Sequence, residues 1–158
     1  MIVANKNKLA FTFFNEINII AQLSSNAFDR ALPIGLSRSQ FSVLNWFVRV
    51  DSVATPGRLS TAFMVTKGAM TNTLKKLQEK GLIDVKPDES NGRQKIVTMT
   101  ARGRQVRDQA LREAGPMMME YVEHFSLDGL RQQLPFLQEL RQYLDEKRYS
   151  EAGHAKDK

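Results

Sequence analysis

Cysteine is missing from the whole chain, which excludes disulfides, thiolate metal sites and thiol-based redox sensing. Histidine is nearly as scarce: His124 and His154 stand alone, without His-x-x-x-His spacing, so no metal site is expected. No apolar run approaches the roughly 20 residues of a membrane span. The first residues, M-I-V-A-N-K-N-K, carry no apolar stretch followed by a small-residue cleavage site. No export signal or membrane partner is therefore expected, and the cytoplasm is the expected compartment. Nucleophile elbows, phosphate loops and catalytic triads are also lacking. Carboxylate pairs such as Glu120 and Glu123 have the i, i+3 spacing of an ordinary solvated helix face. Neither enzymatic activity nor a cofactor is expected.

What is present is unevenly charged. Between Pro56 and Arg107 stand 11 Lys/Arg against 4 Asp/Glu, a local net of +7, whereas the remainder carries 12 against 13. An excess confined to one module points to a polyanionic partner. A solvated basic face is the plainer alternative.

The chain reads as helices with a short β-hairpin between them. From about Lys8 to Leu32, Leu9, Phe13, Ile17, Ile20, Ala27, Phe28 and Ala31 recur near helical spacing, and Phe14 and Leu23 widen the stripe. Pro33 and Gly35 end it. Ser37 and Gln40 form a capping box for a second helix whose buried face takes Phe41, Leu44 and Val48, with Phe47 as a further candidate. Thr55-Pro56 opens a short third helix, with an N-cap residue and proline at the first helical position. Met64-Val65 makes a turn, Thr66 caps a fourth helix, and Gly81 is suited to the left-handed position that ends it.

Two short β-branched segments, Leu82 to Lys86 and Ile96 to Thr100, then flank a polar turn, D-E-S-N-G-R-Q-K. A fifth helix is expected from about Ala101 to Phe125, kinked or broken at Gly115-Pro116. Ser126 caps a sixth, bent at Pro135, and the polar segment from Ser150 onward is expected to be disordered.

The fourth helix separates two kinds of residue. Met70, Leu74 and Leu77 share one face, while Lys67, Thr71, Asn72, Lys75 and Lys76 fall largely outside it. Gly68 and Ala69 keep its start slim, so backbone N–H groups and the positive dipole end can meet phosphate. Thr71 and Asn72 are short enough to reach base edges, Asn72 with a bidentate contact to adenine. Lys67, Lys75, Lys76 and Lys95 can neutralise phosphates, and Arg93 can enter the minor groove from the turn. Helix, turn, helix and hairpin in that order form a winged helix-turn-helix.

The order from Leu36 to Thr100 resembles the MarR family of bacterial transcriptional regulators. The likeness is closest in T-P-G-R-L-S-T-A-F-M-V-T-K-G-A-M-T-N-T-L-K-K-L-Q-E-K-G-L-I and in the D-x-x-x-G-R-x-K wing. It implies a mainly α fold with a small β-hairpin wing: a winged helix-turn-helix lobe over 35–100, flanked by dimerisation helices over 1–34 and 101–149, with a disordered tail over 150–158. It also implies a homodimer on a pseudo-palindromic duplex operator, with DNA contacts from Thr66, Lys67, Gly68, Thr71, Asn72, Lys75, Lys76, Arg93 and Lys95.

In this likeness Arg93 is the wing arginine and Asp88 its acidic support. The family's commoner D-P-R-D-x-R wing is replaced here by Glu89, Ser90 and Asn91, so one basic and one acidic residue are missing from the tip. The likeness further implies release from DNA by a small aromatic or anionic effector, with Phe14, Trp46, Met117 and Tyr121 as candidate pocket residues. Methionines and aromatics at helical spacing serve equally well as core. A winged helix used for protein–protein assembly, or an effector-independent DNA binder, are the alternatives.

Overall fold

The computed structural model describes residues 2–33, 35–92 and 94–154. Its elements are α1 (Ile2–Ala31), α2 (Arg38–Arg49), β1 (Val53–Ala54), α3 (Pro56–Ala62), α4 (Lys67–Glu79), β2 (Ile83–Pro87), β3 (Lys95–Met99), α5 (Ala101–His124) and α6 (Leu127–His154). Residues 1–117 and 118–158 form two compact units.

In the first unit the expected caps are in place. Ser37 and Gln40 complete a reciprocal capping box on α2, Thr55 caps α3 with Pro56 directly behind it, and Thr66 caps α4. Each satisfies N–H groups that a helix start otherwise leaves unpaired. Gly81 takes the left-handed conformation (φ +68°) just past α4, where a side chain would be strained. The core gathers Phe41, Leu44 and Phe47 of α2, Leu59 of α3, Met70, Leu74 and Leu77 of α4, and Ile83 and Val97 of the sheet. Burial of this apolar face, rather than helix propensity, holds the short α3 and α4 in place.

The sheet runs in the order β1-β3-β2, antiparallel throughout. Both wing strands are offset by one residue from the sequence reading. Leu82 is buried as a bridge from Gly81 into β2, and Thr100 serves α5 instead of closing β3. The two-residue β1, which pairs Val53 with Thr98 and Ala54 with Val97, adds a third strand to the expected hairpin.

Proline does not interrupt the C-terminal helices, and the last segment departs from expectation. α5 remains a single helix through Pro116, and α6 through Pro135. Each proline removes one N–H donor, to Arg112 and Arg131 respectively, and the flanking turns carry the helix across the gap. The segment read as a disordered tail is helical from Ser150 to His154; Glu151 and Ala152 favour helix, and no breaker precedes Gly153. Residues 155–158 lie outside the described residues.

A close backbone approach in the first unit lies where α4, the wing and α5 meet. The Thr100 hydroxyl donates to the Gly81 carbonyl (2.8 Å) and accepts from the Gly103 N–H (3.0 Å), while the Thr100 N–H donates to the Leu82 carbonyl (3.1 Å). A Cβ on Gly103 would sit 2.1 Å from the Leu82 carbonyl oxygen and 2.9 Å from Cγ of Met99. Backbone cannot yield as a flexible side chain does. Gly103→Ala is therefore expected to lower unfolding stability by about 3 kcal/mol or more. A loss below about 1 kcal/mol in denaturant unfolding would mean that this seam opens freely.

Candidate nucleic-acid interface

The exposed side of α4 carries the residues singled out from sequence. Met70, Leu74 and Leu77 are buried, and Lys67, Gly68, Thr71, Asn72, Lys75 and Lys76 are exposed. Thr66 Oγ1 accepts from the Ala69 N–H (3.1 Å), which fixes the first turn. A Cβ placed on Gly68 would meet nothing within 4 Å, so that end of the helix is open to a ligand. The Thr71 hydroxyl donates to the Lys67 carbonyl (2.8 Å), leaving an acceptor oxygen and a methyl group to face outward. Lys75 stands 3.9 Å from Glu79 with both side chains well exposed, a pairing too solvated to hold it from a phosphate.

In the wing, Pro87 pairs with Lys95 at the open end of the β2–β3 ladder. Lys95 is exposed, as is Lys86, a basic residue not selected from the sequence although strand alternation with buried Ile83 would have found it. Arg93 lies outside the described residues. Asp88 holds the wing turn through bonds of its own. Its Oδ1 accepts from the Ser90 N–H (2.9 Å) and hydroxyl (2.7 Å), and its own N–H donates to the Gln94 carbonyl (2.8 Å). Asp88 and Ser90 thus pin the turn by a local Asx motif. The Ser90 side-chain and backbone hydrogen bonds hold the Asp88 carboxyl below its usual range.

Several supports extend or add to those readable in the sequence. Gln40 is buried, and its Oε1 accepts from Ser37 N–H (3.3 Å) and from Lys80 Nζ (2.8 Å), so one amide serves the start of α2 and the end of α4. Lys80 Nζ also donates to the Gly35 carbonyl in the α1–α2 connector. Arg107 donates from Nε and Nη2 to Asn45 Oδ1 (3.1 and 2.8 Å), joining α5 to α2. Arg58, at the start of α3, pairs with Asp51 (2.6 Å) and lies 5.1 Å above the Trp46 ring. The Arg58 hydrogen bond, with a lesser one from Val53, keeps the Asp51 carboxyl low.

The candidate effector residues are divided between the two units. Phe14 is exposed and packs edge-on against Phe13 of the same helix, while Trp46 is half-buried against Phe47 and Arg58. Met117 ends the first unit and Tyr121 belongs to the second. A recess of about 400 Å³ in the first unit is lined instead by Asp29, Leu32, Leu36, Ser37, Arg38 and Ser39, with Arg38 3.5 Å from Asp29. Among the described residues, no group of three His, Asp or Glu side chains is placed to hold a metal, and no helix is long and apolar enough to cross a membrane.

Comparison with known proteins follows the same lines. The MarR family model matches residues 34–94. The transcriptional activatory protein BadR of Rhodopseudomonas palustris is 29% identical over 102 residues, covering 63% of this chain and 57% of BadR. The matched segment thus spans little more than half of that relative. The crystal structure of the regulator BldR from Sulfolobus solfataricus superposes with a TM-score of 0.71 at 26% identity, over 85% of this chain and 97% of BldR. A single-residue mutant of MarR from E. coli, crystallised with operator DNA, gives a TM-score of 0.62 at 25% identity, over 80% of this chain and 96% of that one.

Because Asp88 has a folded pKa below its ordinary value of 3.8, its contribution to stability is present above that value and is lost as pH falls through the folded pKa. The stability difference between the protein and Asp88→Asn should accordingly stay constant near neutral pH and shrink on acidification. Thermal unfolding across pH checks this; a difference that widens in acid would contradict the Ser90 bonding.

Proposed function

The chain belongs to the MarR family, and on that premise we propose that it is a transcriptional regulator that binds duplex DNA through α4 and the β2–β3 wing. The carrying observation is the division of α4, with Met70, Leu74 and Leu77 buried and Lys67, Thr71, Asn72, Lys75 and Lys76 exposed. α4 enters the major groove with its slim, capped N-terminus foremost. Thr71 and Asn72 face base edges, and Lys67, Lys75, Lys76 and Lys95 meet phosphates. Arg93 and Asp88 belong to the wing's part in this reading. The operator complex of the E. coli MarR mutant supports it, since that protein shares the fold.

The protein acts as a homodimer in this reading. α1 leaves Leu9, Phe11, Ile20 and Leu23 exposed, and α6 leaves Leu127, Leu130, Leu134, Phe136 and Leu144 exposed. Apolar faces of this extent more often meet a partner than water. A two-fold axis sets two copies of α4 on successive major grooves roughly 34–36 Å apart, hence a pseudo-palindromic operator. Repression follows from occupying a promoter, and a small aromatic or anionic effector would act by favouring a dimer with different α4 spacing. Phe14, Trp46, Met117 and Tyr121 remain its candidate contacts. Activation is the second reading, favoured by the name of BadR, a transcriptional activatory protein.

Fluorescence anisotropy with random-sequence and selected duplexes, over a salt series, tests the DNA reading. Lys75→Ala and Lys76→Ala should each reduce the slope of log K against log salt by about 0.9. Asn72→Ala should cost about 1–3 kcal/mol on the selected site and relax its sequence preference. Absence of binding at low salt by folded dimer would leave the protein-interaction alternative standing. For the effector, a panel of phenolic acids should raise the unfolding temperature and weaken operator binding together; a flat response across the panel would remove the pocket.

A further inference from the structure

Three described residues adopt positive φ: Gly35, Gly81 and Met64. Two are glycines, for which the left-handed region carries no side-chain penalty. Met64, at φ 53°, is the exception, and it occupies the turn between α3 and α4. Glycine would relieve the contact between its Cβ and the backbone. The turn itself makes no demand on the methionine side chain. It is closed by backbone bonds from Phe63 N–H to the Leu59 carbonyl (3.0 Å), Met64 N–H to Thr61 (3.2 Å) and Val65 N–H to Ser60 (3.1 Å). Nor does the core use it: Met64 is 74% exposed, more than either Met118 or Met119, and its neighbour Val65 is exposed as well.

A strained backbone carrying an exposed apolar side chain calls for a role outside the fold. Position supplies one. Met64 lies two residues before Thr66, at the end of α4 where Lys67 and Gly68 are exposed and the first-turn backbone is open. We infer that Met64 is itself a DNA contact: its thioether and methylenes lie against the deoxyribose faces of the strand bordering the groove that α4 enters. The contact is apolar, so it adds affinity without neutralising a phosphate and without reading a base. It rests on the DNA-binding reading of α4 and extends the interface back across the turn.

The test combines thermal unfolding with anisotropy across salt, using a fluorescein-labelled random-sequence duplex and the tightest duplex selected from that pool. Met64→Gly should unfold at the same or a higher temperature yet bind both duplexes about fivefold more weakly, with the salt slope unchanged. Stability and affinity thus move independently or in opposite directions, which a merely structural role would not produce. Met64→Leu should restore affinity to within about twofold. Met64→Lys should steepen the salt slope by about 0.9 by bringing a charge beside the same strand. Unchanged affinity in Met64→Gly together with an unchanged slope in Met64→Lys would overturn the inference while leaving the DNA-binding reading intact. If the unsubstituted protein binds neither duplex, the parent reading fails and this one with it.

Discussion

The winged-helix lobe depends on a backbone-to-backbone approach that only glycine permits. At Gly103 the first turn of α5 presses on the Leu82 carbonyl, and Thr100 ties the same point to Gly81 and to its own helix. Three elements converge there: the end of α4, the first residue before the wing, and the start of the long helix that follows it. The left-handed Gly81 turns the chain out of α4, and Leu82 is buried at once. Thr100 brings the returning strand back to the same spot. Loss of this junction would loosen both α4 and the wing, since neither α4 nor the β2–β3 hairpin is stable alone.

A second set of contacts fixes α4 from its other side. Gln40 is buried with its Oε1 shared between Ser37 and Lys80, and Lys80 also reaches the Gly35 carbonyl. Buried polar groups favour one arrangement because an alternative would leave them unpaired. Arg107 and Asn45 do the same between α5 and α2. The recognition surface is thus anchored by polar links at its rim and by leucines at its centre. The exposed lysines of α4 take no part in these links, whereas Thr66 caps the helix and Asp88 pins the wing turn.

The contrast between what sequence discloses and what it hides follows from range. Helix starts at Ser37, Thr55 and Thr66 and the stop at Gly81 were readable because capping acts over three or four residues. The polar side of α4 was readable because its opposite face is marked by Met70, Leu74 and Leu77. The Thr100 bond to Gly81, the approach of Gly103 to Leu82 and the duties of Lys80 were not, because each depends on a partner brought near by the fold, 45 residues away for Lys80 and Gly35. A two-residue β1 carries too little pattern to register. Pro116 does not break its helix because a proline removes one hydrogen bond, while the surrounding helix retains the rest. Arg93, the wing residue on which the family likeness placed most weight, lies outside the described residues.

Trp46 is the chain's single tryptophan. It is half-buried under the Arg58 guanidinium and set edge-on to Phe47, where the end of α2 meets the start of α3. Residues 118–158 contribute only tyrosines to the ultraviolet spectrum above the phenylalanine band. Excitation at the red edge of indole absorption therefore addresses one compact unit alone, whereas far-ultraviolet dichroism averages over every helix. The protein carries its own optical label for the winged-helix lobe, and departure of the two signals from a common transition would reveal that its two units melt separately.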